Sequence, residues 1–155
     1  MPNKLTFKMK AVSQLLNEEM QGCWVDPFCG VYSPAQIRND ADTSRDADFH
    51  LDGLEFLRLL ESGSVDGVLF DPPYSVEQAL RIYKPIQNGT AGRAEYWAKC
   101  KDEIKRIVRK GGKAICFGWD STGIGKTRGF ELQRVLLLCH GACHNDTIVT
   151  VELSK

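Results

Sequence analysis

The sequence predicts an α/β fold, in which helices cover both faces of a mostly parallel sheet and an antiparallel hairpin closes the carboxyl-terminal end. Short apolar runs typical of strands alternate with segments whose apolar residues recur at helical spacing. The last two β-rich runs, 132–139 and 147–153, are separated only by a turn over 141–146, which predicts the hairpin. A length of 155 residues suits one domain, and we expect 1–155 to form it.

The amino-terminal half predicts two helices and three strands. Apolar residues recur at helical spacing between Met9 and Leu16 and again between Leu54 and Leu60. The predicted helices are 8–20 and 54–60, and the predicted strands are 22–26, 36–40 and a stub at 47–50. Asp52 is placed to cap the second helix, which Gly63-Ser64 ends.

The carboxyl-terminal half begins with a strand that is apolar almost throughout, 65–70. The further predicted elements are helices at 75–83 and 93–109, a strand at 113–117, and loops at 85–92 and 118–129. The helix over 93–109 is rich in Lys and Arg, and Gly111-Gly112 is expected to end it.

Charge and composition limit the classes of partner. Lys and Arg together number 20, as do Asp and Glu, so no global field draws the chain toward nucleic acid or a membrane. Any contact with a polyanion must therefore be local. The sequence shows neither the apolar segment of a signal peptide nor the ~20 apolar residues of a membrane helix, which predicts a cytoplasmic protein without a membrane partner.

The six cysteines are scattered without the density of a disulfide scaffold, so we predict that they are reduced. Residues 139–144 place two thiols and two imidazoles close together, at Cys139, His140, Cys143 and His144. A zinc site is one interpretation of this segment. Because the spacing differs from the usual C-x2-C pairs and no second distant pair exists, we favour a hairpin turn and predict no metal site.

The most informative motif is Asp71-Pro72-Pro73-Tyr74, directly behind the predicted strand 65–70. Two prolines end a strand and leave nearby carbonyl groups without a partner in the sheet. Asp71 and the Pro72 carbonyl can then accept hydrogen bonds from an amino group, while Tyr74 offers a face on which a planar ring can stack. An ordinary surface turn is the alternative for these residues taken alone.

Acidic residues also follow the three strands predicted in the amino-terminal half. Asp26-Pro27-Phe28-Cys29-Gly30 leaves the first strand, Asp40 ends the second, and Asp52 follows the third. Ligands of open α/β sheets bind beyond the carboxyl ends of the strands. The sequence therefore predicts that these acids share one rim with Asp71, although each alone is also typical of a helix cap or solvated turn.

In these motifs the chain resembles the S-adenosylmethionine-dependent amino-methyltransferases of DNA, particularly the adenine-N6 type, from about Cys23 to Glu152. The resemblance implies a Rossmann-like methyltransferase fold, S-adenosylmethionine as cofactor, and a bacterial or phage origin. It implies that Asp26, Pro27, Phe28 and Gly30 surround the methionyl part of the cofactor. Asp40, with Asp42 in reserve, would hold the ribose hydroxyls, and Asp52 the adenine amino group. The turn formed by Asp71, Pro72, Pro73 and Tyr74 would grip the target adenine and act in catalysis.

One position departs from the family pattern. A second glycine often follows the first by two positions, where this chain has Tyr32. The tyrosine ring either folds over the cofactor or obstructs it. A module that keeps the fold but has lost methyl transfer is therefore one alternative function, and a methyltransferase acting on RNA or on a protein amide is another.

The predicted partner is DNA carrying a flipped adenine. Basic residues crowd the helix over 93–109 and its flanks, namely Lys99, Lys101, Lys105, Arg106, Arg109, Lys110, Lys84, Arg93, Lys126 and Arg128. For the helix a solvated face is the simpler interpretation, so the two flanking loops are the better candidates for phosphate contacts. Trp119 and Asp120 open the second loop and are candidates to line the pocket. No separate recognition domain is predicted, which leaves a homodimer or a second recognition subunit open.

Overall fold

The computed structural model describes residues 6–73, 89–140 and 146–155, with the backbone alone over 89–93. The helices are α1 (Lys10–Glu19), α2 (Gly53–Leu59) and α3 (Gly89–Ile107), with 3₁₀ turns at Thr6–Lys8 and Lys126–Arg128. The strands are β1 (Trp24–Asp26), β2 (Ile37–Arg38), β3 (Val65–Phe70), β4 (Val108–Gly118), β5 (Phe130–Leu138) and β6 (Thr147–Ser154).

The strands form one sheet in the order β2-β1-β3-β4-β6-β5. The pairs β1–β2, β1–β3 and β3–β4 are parallel, and β6 is antiparallel to both β4 and β5. The predicted α/β class with its closing hairpin is confirmed. Strand β2 lies on one side of β1 and β3 lies on the other, so the direction of the strand order reverses at β1. Ligands of open α/β sheets bind at such a reversal.

Alternate residues of the strands pack against different helices. On β4, for example, Ala114 and Cys116 join the cluster that contains Leu57 of α2 and Ile104 of α3. Ile115, on the other face, joins the cluster that contains the α1 residues Val12, Leu15 and Leu16. Because these residues are almost fully buried, apolar burial holds helices on both faces of the sheet.

The predicted strand stub at 47–50 is wrong as a strand. Only an isolated bridge between Asn39 and Phe49 forms there. Phe49 is 40% exposed, and the Asp48 carboxylate is turned back onto the Arg38 backbone N–H at 2.7 Å. A segment this short and polar gains too little from burial to extend the sheet.

The prediction that Gly111-Gly112 ends the basic helix is also wrong. Helix α3 ends at Ile107, and both glycines lie inside β4. A Cβ at Gly112 would lie 2.7 Å from the backbone oxygen of Asp66 on β3, where the register of the two strands shifts. Gly112 is therefore needed for close approach of two strands within a bulge.

The predicted helix at 75–83 and most of the loop at 85–92 lie outside the described residues. Among the residues that are described, no helix combines the length and apolar character needed to cross a membrane.

Candidate active site

The turn after β1 is organised around the buried carboxylate of Asp26. Its Oδ1 accepts a hydrogen bond from the Phe28 backbone N–H at 2.9 Å, and its Oδ2 accepts one from the Ser33 hydroxyl at 2.6 Å. Gly30 follows with a left-handed φ of +57°. No atom outside its chain neighbours lies within 4 Å of a Cβ built on Gly30, so open space remains beside the backbone. A ligand can approach the main chain closely at this point.

The ring of Phe28 packs the turn after β1 against β3, α2 and α3. The ring lies edge-on to Phe70, the last residue of β3, with centroids 5.9 Å apart, and edge-on to Trp97 of α3 at 5.6 Å. Gly53, the first residue of α2, lies beneath the same ring. The ring therefore connects the exits of β1 and β3 to the start of α2.

Asp40 is only 7% exposed and binds backbone groups on both sides. Its Oδ2 accepts from the Gly30 N–H at 3.0 Å, and its Oδ1 accepts from the Asp42 N–H at 2.9 Å. Asp42 is itself hydrogen-bonded to Ser44 and ion-paired with Arg45 at 3.2 Å. Asp40 is thus the acid that touches the glycine turn, and it keeps lone pairs for a ligand hydroxyl.

Asn39 is a structural hub that the sequence analysis missed. Its side-chain amide donates to the carbonyl groups of Pro27 and Leu51, each at 3.0 Å, and its Oδ1 accepts from the Leu51 N–H at 2.9 Å. This fully buried residue ties the turn after β1 to the segment that precedes Asp52. An asparagine at the end of a strand carries no local signal for such a role.

Asp52 caps α2 as predicted, because its Oδ1 accepts from the N–H groups of Leu54 and Glu55 at 3.0 and 3.3 Å. Its Oδ2 accepts from the hydroxyl of Tyr96 on α3 at 2.8 Å. Burial, reinforced by neighbouring negative charge, raises the pKa of Tyr96, so the phenol remains a donor. A side chain more than forty positions away, also missed in the sequence, orients Asp52.

The exits of β1 and β3 meet in one small cavity of about 130 Å³. Phe28, Gly30 and Tyr32 line it from the first exit, and Asp71 lines it from the second. Pro72 and Pro73 lie in an adjacent cavity described below, whereas Tyr74 lies outside the described residues. The structure therefore brings the two main motifs to one rim.

The electrostatics of this rim centre on Asp26. Burial raises the pKa of its carboxyl from 3.8 to about 7, against the lowering effect of its bonds to Ser33 and Phe28. The negative charges of Asp71 and Asp40 raise the pKa further. A buried acid whose pKa is strongly perturbed marks a candidate functional site.

A second cavity of about 210 Å³ lies beyond the carboxyl ends of β3 and β4. Pro72 and Pro73 line one side, Trp97 and Lys101 of α3 another, and Trp119 and Asp120 a third. The predicted place of Trp119 and Asp120 in a pocket thus agrees with the structure. We call this space the aromatic cavity.

Tyr32 forms an edge of the first cavity and remains 41% exposed. The Nζ atom of Lys8 lies 3.6 Å from the centroid of its ring. A cation over the ring holds the tyrosine at the rim.

Four of the eight described basic side chains of α3 and its flanks are already paired with acids. Lys99 pairs with Glu95, Arg106 with Glu103, Arg109 with Asp66, and Arg128 with Asp102. Lys101 forms no ion pair within the described part of the chain and lines the aromatic cavity. Lys84 and the side chain of Arg93 lie outside the described residues.

The cysteines that the structure describes are all free. Burial raises the pKa of the Cys29 thiol to about 12, with Asp26 and Asp40 adding to the effect, so no thiolate forms beside the glycine turn. No cluster of three metal-ligating side chains occurs within 6–73, 89–140 and 146–155. Cys143 and His144 lie outside those ranges.

No protein-family model and no curated protein sequence matches the chain. Solved structures match it in fold. The candidate methyltransferase yhhF from Escherichia coli is 9% identical, with a TM-score of 0.59 over 94% of this chain and 85% of that one. An S-adenosylmethionine-dependent methyltransferase from Methanosarcina mazei is 10% identical, with a TM-score of 0.53 over 90% of this chain and 96% of that one.

A candidate DNA modification methylase from Thermus thermophilus is 17% identical, with a TM-score of 0.46 over 65% of this chain and 51% of that one. This chain therefore spans about half the length of the Thermus protein. At these identities the likeness defines the fold, which is the Rossmann-like fold of S-adenosylmethionine-dependent methyltransferases.

Proposed function

We propose that the chain is an S-adenosylmethionine-dependent DNA methyltransferase that modifies the exocyclic N6 amine of an adenine flipped out of the helix. The observation that carries this proposal is the meeting of the turn after β1 and the turn after β3. Phe28 and Gly30 of the first turn and Asp71 of the second line the same cavity. A donor group held by the first turn would therefore lie next to an acceptor group held by the second.

The residues of the first turn fit the proposed cofactor. Open space beside Gly30 admits the methionyl part, and the raised pKa of Asp26 suits a ligand that brings positive charge. Asp40 can accept from the ribose hydroxyls while it holds the Gly30 N–H. Asp52, oriented by Tyr96, can accept from the adenine amino group of the cofactor. Pro27 and Phe28 complete the turn.

The residues of the second turn fit an aromatic amine. Asp71 and the Pro72 carbonyl accept the two amino hydrogens, which localises the nitrogen lone pair. Pro73 and the proposed stacking partner Tyr74 fix the plane of the base. The aromatic cavity on the far side of Pro72 and Pro73 is smaller than the 300–1,000 Å³ of drug-sized pockets, at about 210 Å³, and suits one ring system.

In the transfer step the bound cofactor supplies an electrophilic methyl group on a sulfonium sulfur. Transfer would break the carbon–sulfur bond as the carbon–nitrogen bond forms, and water or Asp71 would take the proton that the amine loses. No residue of the chain forms a covalent bond to the base, in agreement with the protonated state of Cys29. The protein acts by positioning and by electrostatic preorganisation.

The proposal is tested by expressing the chain in a host without adenine methylation, digesting the host DNA and measuring methylated nucleosides by mass spectrometry. We expect N6-methyladenine with the wild type and at least a 100-fold loss with Asp71→Ala, the scale of removing one preorganised contact to the transition state. Calorimetry should show that Asp71→Ala still binds S-adenosylmethionine. Asp46→Ala, which changes a side chain that is 93% exposed, is the matched control and should retain activity.

Other outcomes identify other functions. Methylated cytosine in place of adenine would show that the base assignment is wrong. Label from the cofactor in RNA or protein alone would show that the acceptor is wrong. A chain that binds no S-adenosylmethionine and modifies nothing would be a module that has lost transfer.

A further inference from the structure

The aromatic cavity continues into a second hollow along the same rim. Gly118, the last residue of β4, is opposite Ile148 of β6, and Ile148 is opposite Leu137 of β5. Leu137, Ile148, Asp146 and Trp119 line an open hollow of about 400 Å³. Trp119 lines both spaces, so this residue lies where the aromatic cavity ends and the apolar hollow begins.

The surface of the apolar hollow exposes large apolar side chains, although the rim beside it is polar. Trp119 is 48% exposed and Leu137 is 56% exposed, and Val135, nearby on β5, is 53% exposed. Contiguous exposed apolar groups beside a binding cavity mark a contact surface more often than chance exposure. Asp146 at the edge supplies one polar acceptor. A flat apolar group with polar edges is the kind of ligand that fits such a surface.

Lys101 supplies the only described cation that lines the aromatic cavity. Its charge acts on Asp120, whose pKa is lowered chiefly by hydrogen bonds from Thr122 and in part by Lys101. The Asp120 carboxylate also accepts hydrogen bonds from the Thr122 N–H and hydroxyl. A phosphate at the mouth of the cavity can reach an ammonium group there.

The remaining described charges argue against a duplex as the preferred ligand. Binding to duplex DNA depends on neutralising several phosphates along the helix. Here Lys99, Arg106 and Arg109 are ion-paired within the chain, and the net charge is zero. Single strands are bound instead by aromatic platforms with a few cations, because each unpaired base exposes a face for stacking.

Resting on the function proposed above, we propose that the preferred acceptor is an unpaired nucleic-acid strand that crosses Trp119. The target base occupies the aromatic cavity with its phosphate at Lys101. The neighbouring base lies against Leu137 and Ile148 in the apolar hollow. A paired adenine must first be extruded from the base stack, and an unpaired adenine avoids that cost.

The test compares kcat/KM for three acceptors: a short single-stranded DNA with one adenine, the same strand in a perfect duplex, and deoxyadenosine alone. We expect the single strand to exceed the duplex at least tenfold. Leu137→Asn should lower kcat/KM about tenfold on the single strand and leave deoxyadenosine unchanged, since the apolar contact with the neighbouring base is lost. Leu132→Asn, another exposed β5 leucine that does not line this hollow, should behave as wild type.

Lys101→Gln should weaken binding of the single strand and reduce the slope of log K against log salt by about 0.7, the value for one phosphate contact. Lys99→Gln is the matched control on the same helix, because Lys99 already pairs with Glu95, and its slope should not change. Equal or better activity on the duplex, or equal effects of the Leu137 and Leu132 variants, would overturn this inference while the proposed function stands. Activity on a peptide amide and on none of the three acceptors would overturn both.

Discussion

The ring of Phe28 lies directly on Gly53, so that a Cβ at position 53 would be 2.3 Å from Cε1 of Phe28. Phe28 belongs to the turn after β1, and Gly53 opens the helix that Asp52 caps. Two segments proposed to hold opposite ends of one cofactor thus meet through a contact that excludes a side chain.

Gly53→Ala is therefore expected to lower the free energy of unfolding by about 1–3 kcal/mol, the range for inserting a methyl group into a packed site. Alanine favours a helix more than glycine does, so a loss of stability would have to come from displacement of Phe28. Urea denaturation measures the change. Gly118→Ala is the control, because its Cβ would meet only Asp120 at an ordinary 3.5 Å. Equal stability of the two variants would show that the Phe28 ring moves without cost.

The buried Asp26 predicts a pH dependence of stability. Its pKa is about 7 in the folded chain and near 3.8 when unfolded. Between these values the folded state holds a proton that the unfolded state has released, so the contribution of Asp26 to the free energy of unfolding falls as pH rises from about 4 to 7. The slope reaches at most ~1.4 kcal/mol per pH unit, and the contribution is constant outside that window.

Asp26→Asn removes this titration. From pH 5 to pH 8 the wild type should therefore lose more unfolding free energy than the variant does. Denaturation in urea at both pH values measures this difference. Comparing the two proteins cancels other titrating groups, such as Glu19 and Asp66, whose pKa values are lowered in the folded chain. A difference that is the same at both pH values would contradict the raised pKa.

The same carboxyl predicts a pH dependence of cofactor binding. A sulfonium and an ammonium group near Asp26 favour its ionised form, so affinity for S-adenosylmethionine should rise by up to tenfold per pH unit below about 7 and level off above it. Calorimetry at pH 6, 7 and 8 measures this rise. S-adenosylhomocysteine, which lacks the sulfonium charge, should show a smaller rise, and Asp26→Asn should show none. A flat profile for the wild type would place the positive charge of the cofactor away from Asp26.

The sequence predicts those features of this chain whose causes are local. Strand 65–70 is apolar almost throughout, and Asp52 precedes a helical pattern, so both are found where expected. Gly112 is different, because its role depends on the carbonyl of Asp66 in a neighbouring strand. No pattern near position 112 carries that information.

The candidate site shows the same division. The acids at 26, 40 and 71 follow β1, β2 and β3, and parallel strands place their exits on one rim, whereas Asp52 is positioned as the cap of α2. Asn39, Ser33 and Tyr96 act through partners that only the folded chain brings near. Lys101 is one of many lysines and arginines in the sequence, and its place in the wall of the aromatic cavity is what distinguishes it.

Glu152 is the clearest case of a residue that the fold alone explains, and it leads to a last prediction. This glutamate of β6 is 2% exposed, and its carboxylate accepts from the N–H groups of Ile124 and Gly125 at 2.6 and 3.0 Å. Gly123 packs against the carboxylate so closely that a side chain there would collide with it. The bonds hold the loop whose first half, with Trp119 and Thr122, lines the aromatic cavity.

Glu152→Gln replaces one acceptor by an N–H₂ group that faces a backbone donor. We expect the free energy of unfolding to fall by ~1–3 kcal/mol, the cost of leaving a buried donor without a partner. KM for the acceptor should rise because the wall of the cavity loosens, whereas affinity for S-adenosylmethionine should not change. Glu131→Gln is the control, since Glu131 is exposed, pairs with Lys155 at the surface and should contribute less than about 1 kcal/mol. A Glu152→Gln protein with wild-type KM and stability would show that the loop is held by other contacts, such as the bond from Arg128 to the Ile124 carbonyl at 3.4 Å.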